Sequence, residues 1–206
     1  MTSYLTVART ASVEIEVKRS RFLGHVERVS SEEEARAVVD AARRAHWDAG
    51  HHCSAFVLGP GSEVQRSNDD GEPSGTAGAP MLEVLRGREV SDTVAVVSRW
   101  FGGVLLGAGG LVRAYSDAVR AALDEAGTLE RRLSALFDVP AAHADAARLE
   151  NDLRSRGVGV LGTDYAAAAL LHVAVPAGEA DAFPALVAAL TSGASTPVPV
   201  GQTWTP

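Results

Sequence analysis

The run Thr93-Val94-Ala95-Val96-Val97-Ser98 passes without a break into Arg99-Trp100-Phe101-Gly102-Gly103, and five glycines fall between Gly102 and Gly110. A β-branched, apolar run of this kind predicts a buried strand. After the glycines, Leu111 to Ala126 carries apolar side chains at Leu111, Tyr115, Ala118 and Ala122, the spacing of one helix face, and Gly127 ends it. A strand, a glycine loop and a helix in direct succession point to an α+β fold.

The flanking segments extend that pattern. Val13, Ile15 and Val17 repeat at period two, so Tyr4 to Val17 reads as a half-buried strand, followed by the basic cluster Lys18, Arg19, Arg21 and a second apolar stretch from Phe22 to Val26. Ser30-Ser31-Glu32-Glu33-Glu34 opens a helix, because a serine cap and acidic first turn satisfy free backbone N–H groups and complement the helix dipole. Cys53 to Leu58 predicts a buried strand, Glu63 to Arg66 a short partner, and Met81 to Arg86 a helix stopped by Gly87. A polar boundary falls near Glu130-Arg131-Arg132, which gives domains at 1–130 and 134–206. Beyond it the strands Ser134–Val139, Val158–Tyr165, Ala168–Val175 and Ser195–Val200 alternate with helices at Ala141–Arg156 and Glu179–Leu190. That β-α-β-β-α-β order is the ferredoxin-like arrangement.

Charge and cysteine content narrow the partners. A net charge of −7 argues against broad coating of nucleic acid and leaves room for a local basic patch. One cysteine, Cys53, permits no intrachain disulfide and fits a reducing, cytoplasmic setting. No signal peptide is read in Met1 to Val17, and no apolar run reaches the ~18 residues of a membrane span.

Four segments could carry chemistry. In Arg66 to Pro80, the carboxylates Asp69, Asp70 and Glu72 repel one another unless arginines, backbone N–H groups or a divalent cation compensate them. This stretch lacks both EF-hand ligand spacing and a nucleophile elbow, so it reads as either a binding loop or an ordered surface loop. In Ser98 to Tyr115, N–H groups at a helix start, among them those of Gly109 and Gly110, suit an anion, with Arg99 and Arg113 as charged donors; close backbone packing of the glycines is the competing account. Val112 breaks the dinucleotide fingerprint, and Ala108 breaks the phosphate-loop pattern. His51 and His52 are adjacent, so on a strand they face opposite ways and make poor joint metal ligands. Lys18, Arg19, Arg21, Arg66, Arg99 and Arg113 would form an RNA phosphate patch if they converge, with Trp100, Phe101 and Tyr115 as stacking platforms.

These blocks resemble the YigZ/IMPACT family. The resemblance is carried by Asp69-Asp70-Gly71-Glu72-Pro73 with Gly75-Thr76-Ala77-Gly78, by Val97-Ser98-Arg99-Trp100-Phe101-Gly102-Gly103 and by Gly109-Gly110-Leu111-Val112-Arg113-Ala114-Tyr115. Lys18-Arg19-Ser20-Arg21-Phe22 and His51-His52-Cys53 resemble its earlier blocks. The resemblance implies a first domain like domain IV of elongation factor G and a related ribosomal-protein domain, and a ferredoxin-like second domain. It also implies translational regulation, which eukaryotic members exert by binding an activator of a stress-response kinase. They use an additional N-terminal domain for part of that task, and no counterpart to it is read in this sequence.

The leading expectation is a translation-associated regulator that binds RNA or the ribosome, an anionic ligand held by the first domain. Its contacts would come from Lys18, Arg19, Arg21, Arg66, Asp69, Asp70, Glu72, Thr76, Arg99, Gly102, Gly103, Gly109, Gly110 and Arg113. A regulatory protein-interaction module and an enzyme acting on a small anionic substrate are the alternatives. No catalytic residue, metal ligand or cofactor is assigned.

Overall fold

The computed structural model describes all 206 residues and divides the chain into two compact units, essentially Ser3–Glu130 and Arg131–Pro206. In the first unit the strands are β1 (Ser3–Val7), β2 (Ala11–Val17), β3 (Ser20–Arg28), β4 (His51–Leu58), β5 (Val64–Asn68) and β6 (Thr93–Trp100). The helices are α1 (Glu32–Ala45), α2 (Gly78–Gly87) and α3 (Ala108–Ala126). The antiparallel sheet runs in the order β2-β3-β6-β4-β5, so the strongest predicted strand, β6, is central.

Period-two alternation decides which residues meet which helix. Phe22, Val26, Cys53, Ala55, Ala95 and Val97 face α2 and α3 and form the larger core with Met81, Leu85, Tyr115 and Ala118. Phe56, Leu58, Val94 and Val96 face the other way, against Ala35 of α1. The Ser31 side chain accepts from the Glu34 N–H, the predicted cap of α1 and worth about 1 kcal/mol. Gly24 lets α3 approach the sheet: a Cβ there would lie 2.4 Å from the Ala118 carbonyl oxygen.

The second unit comprises most of β7 (Thr128–Ala141), then α4 (His143–Ser155), β8 (Gly159–Tyr165), β9 (Ala169–Pro176), α5 (Phe183–Thr191) and β10 (Val198–Thr205). β7 pairs with both β9 and β10, and β9 with β8, all antiparallel. The resulting order, β10-β7-β9-β8, is the ferredoxin-like fold. Phe137, Val139, Leu149, Leu153, Leu171, Val173 and Phe183 make its own core.

Several boundaries differ from the sequence reading; β7 starts at Thr128 and so runs through the polar Glu130-Arg131-Arg132, and α5 starts at Phe183 and not at Glu179. Tyr4–Val17 is two strands, because the Ala8 N–H bonds the Gly127 carbonyl and Arg9 reaches Glu125. Helix α3 starts at Ala108 and takes in Gly109 and Gly110, where the unpaired first turn tolerates glycine. The last strand lies later, at Val198–Thr205. No helix is long and apolar enough to cross a membrane.

Candidate functional site: a basic hairpin tip seated on a glycine loop

Strands β2 and β3 join through Lys18 and Arg19, with φ of 48° and 64°. Both residues are left-handed, the conformation that a two-residue hairpin turn matching the twist of its strands requires. The turn rests directly on the loop after β6. A Cβ on Gly102 would lie 2.0 Å from the Arg19 carbonyl carbon, and the Gly102 N–H donates to Ser20 Oγ at 3.1 Å. Close approach of two backbones therefore demands glycine at this position. Beside it, Arg21 stacks over Trp100 at 4.5 Å and bonds Glu14 at 3.0 Å.

The three clustered carboxylates are compensated from within the protein. Asp69 accepts from the N–H groups of Gly75 (2.8 Å), Ala77 (3.0 Å) and Gly78 (2.7 Å), and so closes the start of α2. Burial alone would raise its pKa, but these three donors outweigh it and the carboxyl is held below its ordinary value. Asp70 behaves alike: burial is overcome by the His52 N–H at 2.6 Å and Arg43 at 2.8 Å, and its pKa is lowered. Glu72 is buried and accepts from Arg99 Nη1 at 2.5 Å and from the Tyr115 hydroxyl at 2.7 Å. Thr76, also buried, donates to the Pro73 carbonyl at 2.6 Å.

This network joins the two long segments. The Arg99 guanidinium carbon sits 5.4 Å from the Phe22 ring and 5.8 Å from the Phe101 ring. His51 donates Nδ1–H to the Asp70 carbonyl at 2.9 Å, which leaves Nε2 at 4.0 Å from Glu72. His52 faces the other side of the sheet and bonds Ser98 at 2.9 Å; burial lowers its pKa. The Cys53 thiol is fully buried, donates to the Asp69 carbonyl, and is pushed up to about 12 by burial. Such a thiol is an inert core group. No set of three His, Cys, Asp or Glu side chains is arranged to hold a metal ion.

The sequence-predicted cations do not all converge. Lys18, Arg19 and Arg113 are exposed and have no carboxylate partner, and Lys18 and Arg19 adjoin the glycine loop. Arg99 is buried and committed to Glu72, so it acts inside the frame and does not face solvent. Arg66 lies on β5, at the sheet edge opposite β2 and β3. Gly103 is exposed with φ of 81°, Gly109 is open, and Gly110 sits under Leu106. Tyr115 is fully buried, which removes it as a stacking platform, whereas Phe101 is 59% exposed. Leu105, at 83% exposed, and Val104 extend that apolar surface, a feature hidden in sequence because both residues look like core. Trp47, just beyond α1, is 83% exposed and was equally hidden.

Comparison with known proteins covers nearly the whole chain. Residues 18–123 match the Impact N-terminal domain, and residues 140–194 match a domain of unknown function, DUF1949. IMPACT family member YvyE of Bacillus subtilis (strain 168) is 42% identical over 193 residues, 94% of this chain and 89% of that protein. IMPACT family member YigZ of Escherichia coli (strain K12) is 38% identical over 195 residues, 94% of this chain and 96% of that protein. A crystal structure of a hypothetical protein covers 97% of this chain and 98% of its own, with 37% identity and a TM-score of 0.66.

Proposed function

The chain belongs to the IMPACT family, and from that premise we propose that it is a translation-associated regulator that contacts RNA, on the ribosome or free, through the tip of its first unit. The observation that carries this reading is the seating of the Lys18–Arg19 turn on Gly102, beside exposed Phe101. It seats a turn bearing two cations without carboxylate partners against the loop that carries a half-exposed aromatic ring. Cations bind phosphates, and a base stacks on an exposed aromatic ring. The acidic remainder of the chain confines such contact to a small surface.

In this reading Asp69, Asp70, Glu72, Thr76 and Arg99 make the scaffold. Their bonds fix the loop from Arg66 to Pro80 against β4 and β6, while the loop after β6 is held by the Gly102 N–H on Ser20. Arg113 and the free N–H groups at the start of α3 supply a further anion contact.

The test is binding of a fluorescent single-stranded RNA and of purified ribosomes across a salt series. Affinity falls steeply with salt, and Lys18→Glu with Arg19→Glu lowers the slope by about 0.7 per lost contact. Phe101→Ala weakens binding with the slope unchanged. Binding that ignores salt, or survives the double charge reversal, refutes the proposal.

A further inference from the structure

Helix α1 crosses β4 and β6 on one face of the sheet and meets the far edge strand only near Val64, while α2 packs on the other face. That edge is β5, which pairs with β4 on one side and with no strand on the other. Between α1 and β5 runs an open groove of about 390 Å³, with Ser54 and Phe56 as floor, Arg36 and Arg43 on the helix rim and Arg66 on the strand rim. An unpaired edge offers backbone N–H and C=O groups to another chain. Natural complexes use such edges by adding a strand, with main-chain bonds for affinity and alternate side chains for selection.

Register shows which side chains would select. Arg66 pairs with Phe56 and Val64 with Leu58, so both point to the face that α1 partly covers. On the helix rim Arg36 is bound to Glu32 at 2.9 Å, and Arg43 to Asp70 at 2.8 Å. Arg66 is exposed, has no carboxylate partner, and bonds only the neighbouring Gln65 carbonyl at 2.9 Å. The unspent positive charge of the groove therefore stands at one point. Val64, half-buried against the α1 core, supplies apolar surface two positions away.

We propose that β5 accepts an extended segment of a partner protein as a sixth strand, with an aspartate or glutamate opposite Arg66 and an apolar side chain two residues away opposite Val64. Alternate residues of a strand share a face, so both would lie on the α1 side, the acidic one over the groove at Arg66 and the apolar one beside Val64, while the residue between them faces the opposite side. This surface is at the opposite edge of the sheet from the Lys18–Arg19 tip, and it is independent of RNA contact.

The probe is a fluorescein-labelled eight-residue threonine-rich peptide with one glutamate and one valine two positions apart, added to the full chain. Saturable anisotropy is expected, with amide-exchange protection at residues 64–68. Arg66→Glu weakens binding about tenfold, the loss of one charge-assisted contact. A peptide with lysine in place of glutamate restores binding to that variant, a readout that misfolding would not produce. Absence of saturation, protection located elsewhere, or equal binding of both peptides by both proteins overturns the proposal. Sedimentation showing that the edge is instead closed by a second copy of the chain also overturns it.

Discussion

Arg99 Nη1 lies 2.5 Å from Glu72 Oε1, across 27 positions of sequence, and both side chains are buried. Removing one member of such a pair strands the other charge away from water, at about 3–5 kcal/mol. Glu72→Ala is expected to lose that much stability in urea unfolding. Glu72→Gln, which keeps an acceptor for Arg99 and Tyr115, loses less. A loss below about 1 kcal/mol for the alanine variant would show that the pair is not holding the loops.

Gly102 has no room for a methyl group, since the Arg19 backbone occupies the space. Gly102→Ala must push the hairpin turn from the loop, with a loss of about 1–3 kcal/mol from overpacking. RNA binding should fall with it, because Lys18, Arg19 and Phe101 no longer share one surface. Thermal melting and RNA anisotropy on the same sample check both parts. Unchanged melting would mean that the turn and loop do not touch in solution.

His172 bonds Asp138 through Nδ1 at 2.6 Å and Asp164 through Nε2 at 3.1 Å. Ionised carboxylates only accept, so both ring nitrogens must carry protons. The bonds to Asp138 and then Asp164 raise its pKa above the ordinary 6.5. The linked stability is fully present below that ordinary value and is lost as pH rises through the higher native one. Urea midpoints should therefore fall on the alkaline side of pH 6.5, and His172→Gln should flatten the trend. An NMR titration giving a native pKa at or below 6.5 would contradict the assignment.

Asp69 and Asp70 give the opposite limb. Their native pKa values are lowered from 3.8, so their contribution is present above that value and is lost as pH falls through the native ones. Asp69→Asn keeps the shape but weakens three N–H bonds at the start of α2. A loss of about 1.5–3 kcal/mol at neutral pH, with a shallower acid transition, is expected from denaturant curves. Equal acid transitions for variant and parent would exclude Asp69 as the source.

Much of the fold was legible because each element carries its own period. The ferredoxin-like unit could be read in order from its apolar spacing alone. Its last strand was misplaced because exposed Val198 and Val200 look like core, while the pairing continues through polar Gln202, Thr203 and Thr205. The site was legible only as residue types. That Asp69, Asp70 and Glu72 needed compensation followed from their crowding. Which donors provide it depends on contacts to Arg43, His52 and Arg99, which no local pattern encodes. Arg99 and Arg66 resemble Lys18 and Arg19 in sequence, and only the sheet order separates a buried strut and a distant edge from the exposed tip.

The left-handed Lys18 and Arg19 have one more consequence. Asparagine and glycine adopt those angles with little strain, whereas longer side chains are disfavoured there. Exchanging the pair for Asn-Gly would relax the turn and delete its charge in one step. Under the proposed function the hairpin would then set robustness against recognition: the sturdier protein of the two would be the one with the weaker grip on RNA.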